Sequence, residues 1–131
     1  MTSVQGVASR WKAYGPAIFW AFLIFCESSI PAAAFPRSAI LSHDKLIHMG
    51  IYAVLAYLVY RGLRMRGLSR NSTALWVLFG FCVLYGASDE FHQHFVPGRS
   101  MDVFDLLADA CGAALAIGVA RYLEGRRSRS A

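Results

Sequence analysis

Seven of the eight acidic residues and all four histidines lie at one end of the apolar segments they interrupt. The densest stretch, 88–109, reads SDEFHQHFVPGRSMDVFDLLAD. Helical spacing sorts these groups onto three faces. Lys45, His48 and Tyr52 stand at i, i+3 and i+7, as do Asp102, Asp105 and Asp109, while Asp89 shares a face with His92 and Gln93. Carboxylates beside imidazoles suit proton transfer, with His48 or His92 as donor or acceptor, oriented by Asp89 or Asp102, and Glu90 as a second acid. Asp105 completes that catalytic set. Lys45 and Arg99 suit a phosphate or carboxylate headgroup, Arg99 through its bidentate fork, with Tyr52, Gln93 and Asp109 as further binding residues. No nucleophilic Ser or Cys motif is visible, which favours acid–base or metal-assisted chemistry over an acyl-enzyme. His48, Asp89, Glu90, His92, Asp102 and Asp105 are also ligands by type for Mg, Mn or Fe. No compact motif such as His-Glu-x-x-His is present, so a divalent cation is admitted but not favoured. His94 stands off helical ligand spacing from His92 and is expected to face solvent in the loop.

Four apolar segments must position these groups: 14–30, 47–63, 73–88 with an extension to 91, and 101–123. With 56% apolar and 16% charged residues the chain is too apolar for an ordinary soluble domain. The segments are apolar nearly all round, which argues against a soluble bundle. A bilayer crossing needs about 20 helical residues, so the spans must take in flanking polar groups, tilt, or thin the bilayer. The expected fold is all-α: one domain over 1–131, a compact bundle of four transmembrane helices near 13–30, 44–64, 72–92 and 101–123, with a basic tail at 124–131. Ser42 is a candidate cap for the second helix and Ser100 for the fourth, with Pro97-Gly98 setting the turn between the last two. The fourth helix carries Ala108, Gly112, Ala116 and Ala120 on one row and Ala110, Ala114 and Gly118 on the next, and small residues at such spacing let membrane helices approach.

The net charge of +5 does not point to nucleic acid. Ten of the thirteen basic residues fall at one end of the spans, and only Arg37, Lys45 and Arg99 at the other. Cytoplasmic segments carry the Lys/Arg excess, so both termini are expected in the cytoplasm and the acidic end outside, across a plasma membrane. A carboxylate as deep as Asp109, about 10 Å below Asp102 along a helix, must face the bundle interior or a wet cleft. The first span is expected to stay rather than be cleaved as a leader, because Glu27, Ser28 and Ser29 interrupt the approach to the small residues at 32–34. Cys26, Cys82 and Cys111 lack paired spacing and read as packing residues.

Several of these residues also form a longer pattern: Asp44-Lys45-x-x-His48-x-x-x-Tyr52, Asp89-Glu90-x-His92-Gln93, Phe95-Val96-Pro97-Gly98-Arg99-Ser100, and Asp102-x-x-Asp105 with Gly112. Over about 25–117 the chain resembles the VanZ-like integral membrane proteins; Ser28-Ser29 also fits, Ile30 stands where a Gln often follows, and His94 is an extra histidine. The resemblance implies a bacterial membrane protein with an envelope-related role. The founding member is an accessory factor for resistance to a lipoglycopeptide antibiotic. The resemblance supplies no reaction.

Three functions are compatible with these residues. The first is binding or modification of a membrane lipid or lipid-linked envelope precursor at the outer leaflet. The second is a non-enzymatic accessory or scaffold subunit, with a membrane protein partner, whose polar cluster fixes helix register. The third, ion or proton traffic, is weakened because the inner halves of the spans hold no ionisable relay.

Overall fold

The computed structural model describes residues 2–34 and 44–130. Four long helices account for most of them: α1 (Thr2–Ser28), α2 (Asp44–Met65), α3 (Ser72–Gln93) and α4 (Val103–Arg127). A short 3-10 turn, Ala32–Ala34, follows α1. No strand is present among the described residues. Pro36, Arg37, Ser42 and His43 lie outside the described residues, and with them the expected cap of α2.

Side-chain contacts fix the helix directions. Near one end, Ser29 meets His92, Glu27 meets Arg99 and Lys45 meets Asp102. Near the other, Tyr60 and Ser69 meet Glu124. Thus α2 and α4 run parallel, α1 and α3 run opposite to them, and the acidic and Arg-rich ends lie apart. The α2–α4 interface is the most extensive in the molecule. It is close because Gly112 has no side chain: a Cβ there would stand 2.0 Å from the Met49 carbonyl oxygen. Ala113 is fully buried beside it. The first small-residue row of α4 is packed or half-buried, whereas Ala114 and Gly118 of the second row face outward.

The core joins Ile24, Tyr52, Leu55, Ala56, Leu78 and Cys82 with their neighbours. Two aromatic side chains stitch helices through backbone carbonyls, Trp20 Nε1 donating to Ile51 O (3.0 Å) and the Tyr85 hydroxyl to Ala21 O (2.6 Å). Large apolar side chains cover the outside. Trp76 and Leu84 are each 73% exposed. By length and composition α2, α3 and α4 can each cross a membrane. α1, whose apolar run is bounded by Lys12 and Glu27, is not among them.

Helix ends differ from expectation at three points. α4 runs on to Arg127, past the expected end at 123 and into the basic tail. α1 starts at Thr2 rather than near 13, and no proline interrupts the residues before the apolar run. It stops at Ser28, where the Ser28 and Ser29 hydroxyls both donate to the Phe25 carbonyl and Pro31 bars continuation. α4 is capped by Asp102, not Ser100: the Asp102 carboxylate accepts from the Phe104 N–H at 2.8 Å. The turn before it closes at Arg99 N–H to Val96 O (3.1 Å) with Gly98 at φ +77°. That backbone angle at the third turn residue, after Pro97, defines a type II reversal and needs glycine. Ser100 falls beyond the turn and before the helix, which leaves the capping position to Asp102.

Candidate functional site

The acidic end is built by all four helices and the 96–99 turn. α2 and α4 supply its core, because their close approach brings the two i, i+3, i+7 stripes face to face. The Lys45 ammonium donates to Asp102 Oδ2 (2.6 Å) and to Asp105. One turn deeper, His48 Nδ1 lies 3.1 Å from Asp109 Oδ1. Its Nε2 faces Asp44 Oδ1 and Asp105 Oδ2 at 3.8 and 3.9 Å, beyond hydrogen-bond reach. Tyr52, a further turn down, is 1% exposed, and its hydroxyl has no hydrogen-bond partner among the described residues.

α3 brings Asp89, Glu90 and Gln93, all buried. Gln93 Nε2 donates to Asp89 Oδ2 (3.2 Å), one helical turn back. Glu90 Oε2 accepts the Asp102 backbone N–H at 2.8 Å, tying the end of α3 to the start of α4. Asp102 sits at the mouth, outside the helix it caps. Its carboxyl is held below the usual carboxylate range by the Lys45 hydrogen bond first and the Phe104 N–H second.

The orienting carboxylate of His48 is therefore Asp109, where Asp89 or Asp102 was expected. His92 departs further. It turns toward α1, with Nε2 3.0 Å from the Ser29 hydroxyl and its ring 4.8 Å from that of Phe25. The i, i+3 relation to Asp89 holds along α3, but Asp89 is paired with Gln93 and His92 with Ser29. His94 is exposed at the end of α3. Arg99 Nη1 donates to Glu27 Oε1 (3.2 Å), not to Asp89 or Asp102. Glu27 and Asp44 were absent from the sequence-derived set although both belong to this end. Their signal was the same one that found the others, an acid at the outer end of an apolar run.

Between α1, α2 and the 96–99 turn lies a cleft of about 360 Å³. His48, Gln93, Arg99 and Asp105 line one part of it, and Ile47 and Ile51 give it an apolar wall. Two sets of side chains have ligand atoms close enough to share one cation: Asp44, His48 and Asp105, and His48, Glu90 and Asp109.

Most of the positions that build this end, Asp109 and Glu27 apart, belong to the pattern read from the sequence, and the VanZ/LLP1 family profile matches residues 13–124. The chain belongs to the VanZ/LLP1 family. Neither a curated protein nor a solved structure matches it at a significant level. As a VanZ/LLP1 protein with three helices apolar enough to span a bilayer, it is a membrane protein. The matched region includes every helix segment that contributes a side chain to the cleft, α1 included.

Proposed function

We propose that this VanZ/LLP1 protein is a four-pass protein of the bacterial plasma membrane. Both termini are cytoplasmic, and its outward-facing cleft binds or modifies an amphiphile with an anionic headgroup, such as a membrane lipid or lipid-linked envelope precursor. Ile18, Phe19, Phe22 and Phe25 of α1 are all exposed, which favours lipid around that helix too. The opposed acidic and Arg-rich ends support the orientation through the positive-inside rule.

The observation that carries the reading is the composition of the cleft: a guanidinium and an imidazole beside an isoleucine wall at the membrane end of the site. Arg99 would exchange Glu27 for a phosphate or carboxylate, and Lys45 stands at the mouth as the second cation. His48, steadied by Asp109, is the proton carrier best placed toward the cleft. His92 is not part of that proton path.

A second reading keeps support from the ion pairs themselves. Lys45 is engaged by Asp102 and Asp105 and Arg99 by Glu27, as in a network that fixes register in an accessory or scaffold subunit. Native mass spectrometry on gently extracted protein separates the two. An amphiphile retained by the wild type and lost in a folded Arg99→Ala/Asp102→Asn variant supports binding. Bare protein in both, with the variant only less stable, supports the accessory reading. A tag accessible outside the cell at either terminus would overturn the orientation.

A further inference from the structure

His48, Glu90 and Asp109 each present a ligand atom within 4.8 Å of the others. They are 7%, 2% and 1% exposed. One oxygen of each carboxylate, Glu90 Oε1 and Asp109 Oδ2, is wholly inside the protein and accepts no hydrogen bond among the described residues. Their other oxygens are in use, Glu90 Oε2 by the Asp102 N–H and Asp109 Oδ1 by His48. Buried polar atoms are almost always partnered, so two orphaned carboxylate oxygens on residues grouped about one imidazole call for a further partner. The nearest lysine does not supply it, since Lys45 is held at the mouth by Asp102 and Asp105. On the α3 side Gly86 lets Asp109 pack closely, since a Cβ there would stand 2.9 Å from Asp109 Oδ2.

We propose that His48, Glu90 and Asp109 bind a divalent first-row cation, Mn²⁺, Fe²⁺ or Zn²⁺. Two carboxylates balance its charge, which removes the cost of uncompensated anions in the protein interior. One imidazole among oxygens favours these ions over Ca²⁺ or Mg²⁺, which prefer oxygen alone. His48 would ligate through Nδ1, releasing the proton it shares with Asp109. Its Nε2–H would then point to Asp44 and Asp105, the carboxylates behind the ring at 3.8 and 3.9 Å. A ligating histidine ordinarily has a hydrogen-bond acceptor on its far nitrogen, a role that either carboxylate would fill by closing in on Nε2 from its present distance. Asp44, His48 and Asp105 also line the cleft, which gives the ion a route in and leaves its open positions facing a bound headgroup. The site stands on its own ligands and does not depend on what occupies the cleft, and a His48 that holds the ion gives up the proton-carrier role proposed for it.

The test uses the full chain in detergent, stripped by a chelator and dialysed against Mn²⁺ or Zn²⁺ with no amphiphile added. Metal analysis should find about one ion per chain in the wild type, accompanied by a rise in Tm. Glu90→Gln and Asp109→Asn, checked for helicity by circular dichroism, should each weaken binding at least ~10-fold, while the remote Ser69→Ala should not. Pulsed EPR of the Mn²⁺-loaded wild type should show imidazole nitrogen coupling, a readout independent of how the variants fold. The proposal is overturned if the wild type retains no ion at tens of micromolar free metal, if both carboxylate variants retain it, or if no nitrogen coupling is seen. Because no amphiphile is present, loss of the metal result would leave the cleft reading to its own experiment, and the reverse.

Discussion

Gly112 of α4 presses its Cα against the carbonyl of Met49 in α2, leaving no room for even a methyl group. His48 is the next residue along that helix. The contact therefore sets the distance across which His48 and Asp109 meet, and it makes a backbone position part of the site.

Gly112→Ala should be strongly destabilising, by roughly 3 kcal/mol or more, because the clash is with backbone and the helices must separate. Gly118→Ala on the same helix, where nothing lies within 4 Å, should be neutral or stabilising by up to ~1 kcal/mol. Thermal unfolding of both variants in one detergent measures the contrast. Equal effects would mean that α2 and α4 do not touch as described.

Removing His48 should cost more than an ordinary core truncation. His48→Ala leaves Asp109, 1% exposed, without its imidazole partner. Breaking a buried pair from one side costs about 3–5 kcal/mol. The double variant His48→Ala/Asp109→Ala should recover part of that loss, which a double-mutant cycle on Tm or denaturant midpoint would reveal.

Asp102 gives the site an acid limit. Its carboxyl is depressed in the folded protein by Lys45 and the Phe104 N–H. The sign follows: the stabilisation is complete above the ordinary carboxylate value of 3.8 and disappears as pH falls through the lower folded value. Tm against pH should therefore fall on the acid side, and Asp102→Asn, which keeps a capping side chain, should flatten that contribution. An unchanged acid limb in the variant would remove Asp102 from the linkage.

At the opposite end, Glu124 accepts hydrogen bonds from the Tyr60 hydroxyl and from Ser69 at 2.9 Å. Tyr60→Phe should cost about 1.5–3 kcal/mol, the usual worth of a hydrogen bond to a charged group, and Glu124→Ala at least as much. Chemical denaturation in mixed micelles would check the order. A negligible Tyr60→Phe effect would show that Glu124 is held by its arginine surroundings instead.

Much of the α2–α4 pairing was legible in the sequence because it is periodic. Lys45-x-x-His48 and Asp102-x-x-Asp105 repeat at the helical period, and a bundle leaves ionisable stripes nowhere to face but each other. The rotation of each helix about its axis was not legible. It decides that Asp109 rather than Asp102 meets His48, and it depends on the Gly112 contact, which only coordinates reveal. The place of α1 was equally hidden: its last turn comes beside His92 and the 96–99 turn, so His92 goes to Ser29 and Arg99 to Glu27. Ser100 and Asp102 are both good caps by type, and the turn closing at Arg99 settles between them.

α2 and α4 are riveted at both ends, by Lys45 to Asp102 and Asp105 and by Tyr60 to Glu124, with the Gly112 seam between. Together they form a single stiff blade. On the opposite jaw of the cleft, α1 meets the 96–99 turn through Ala32 N–H to Pro97 O (3.2 Å) and Glu27 to Arg99. Widening the cleft therefore falls to that jaw, and an anion captured by Arg99 would draw the bolt that Glu27 provides. Trp20 to Ile51 and Tyr85 to Ala21 hold the rest of the first helix in place. On the proposed reading, entry of a headgroup and loosening of that helix's last turn would be one event rather than two.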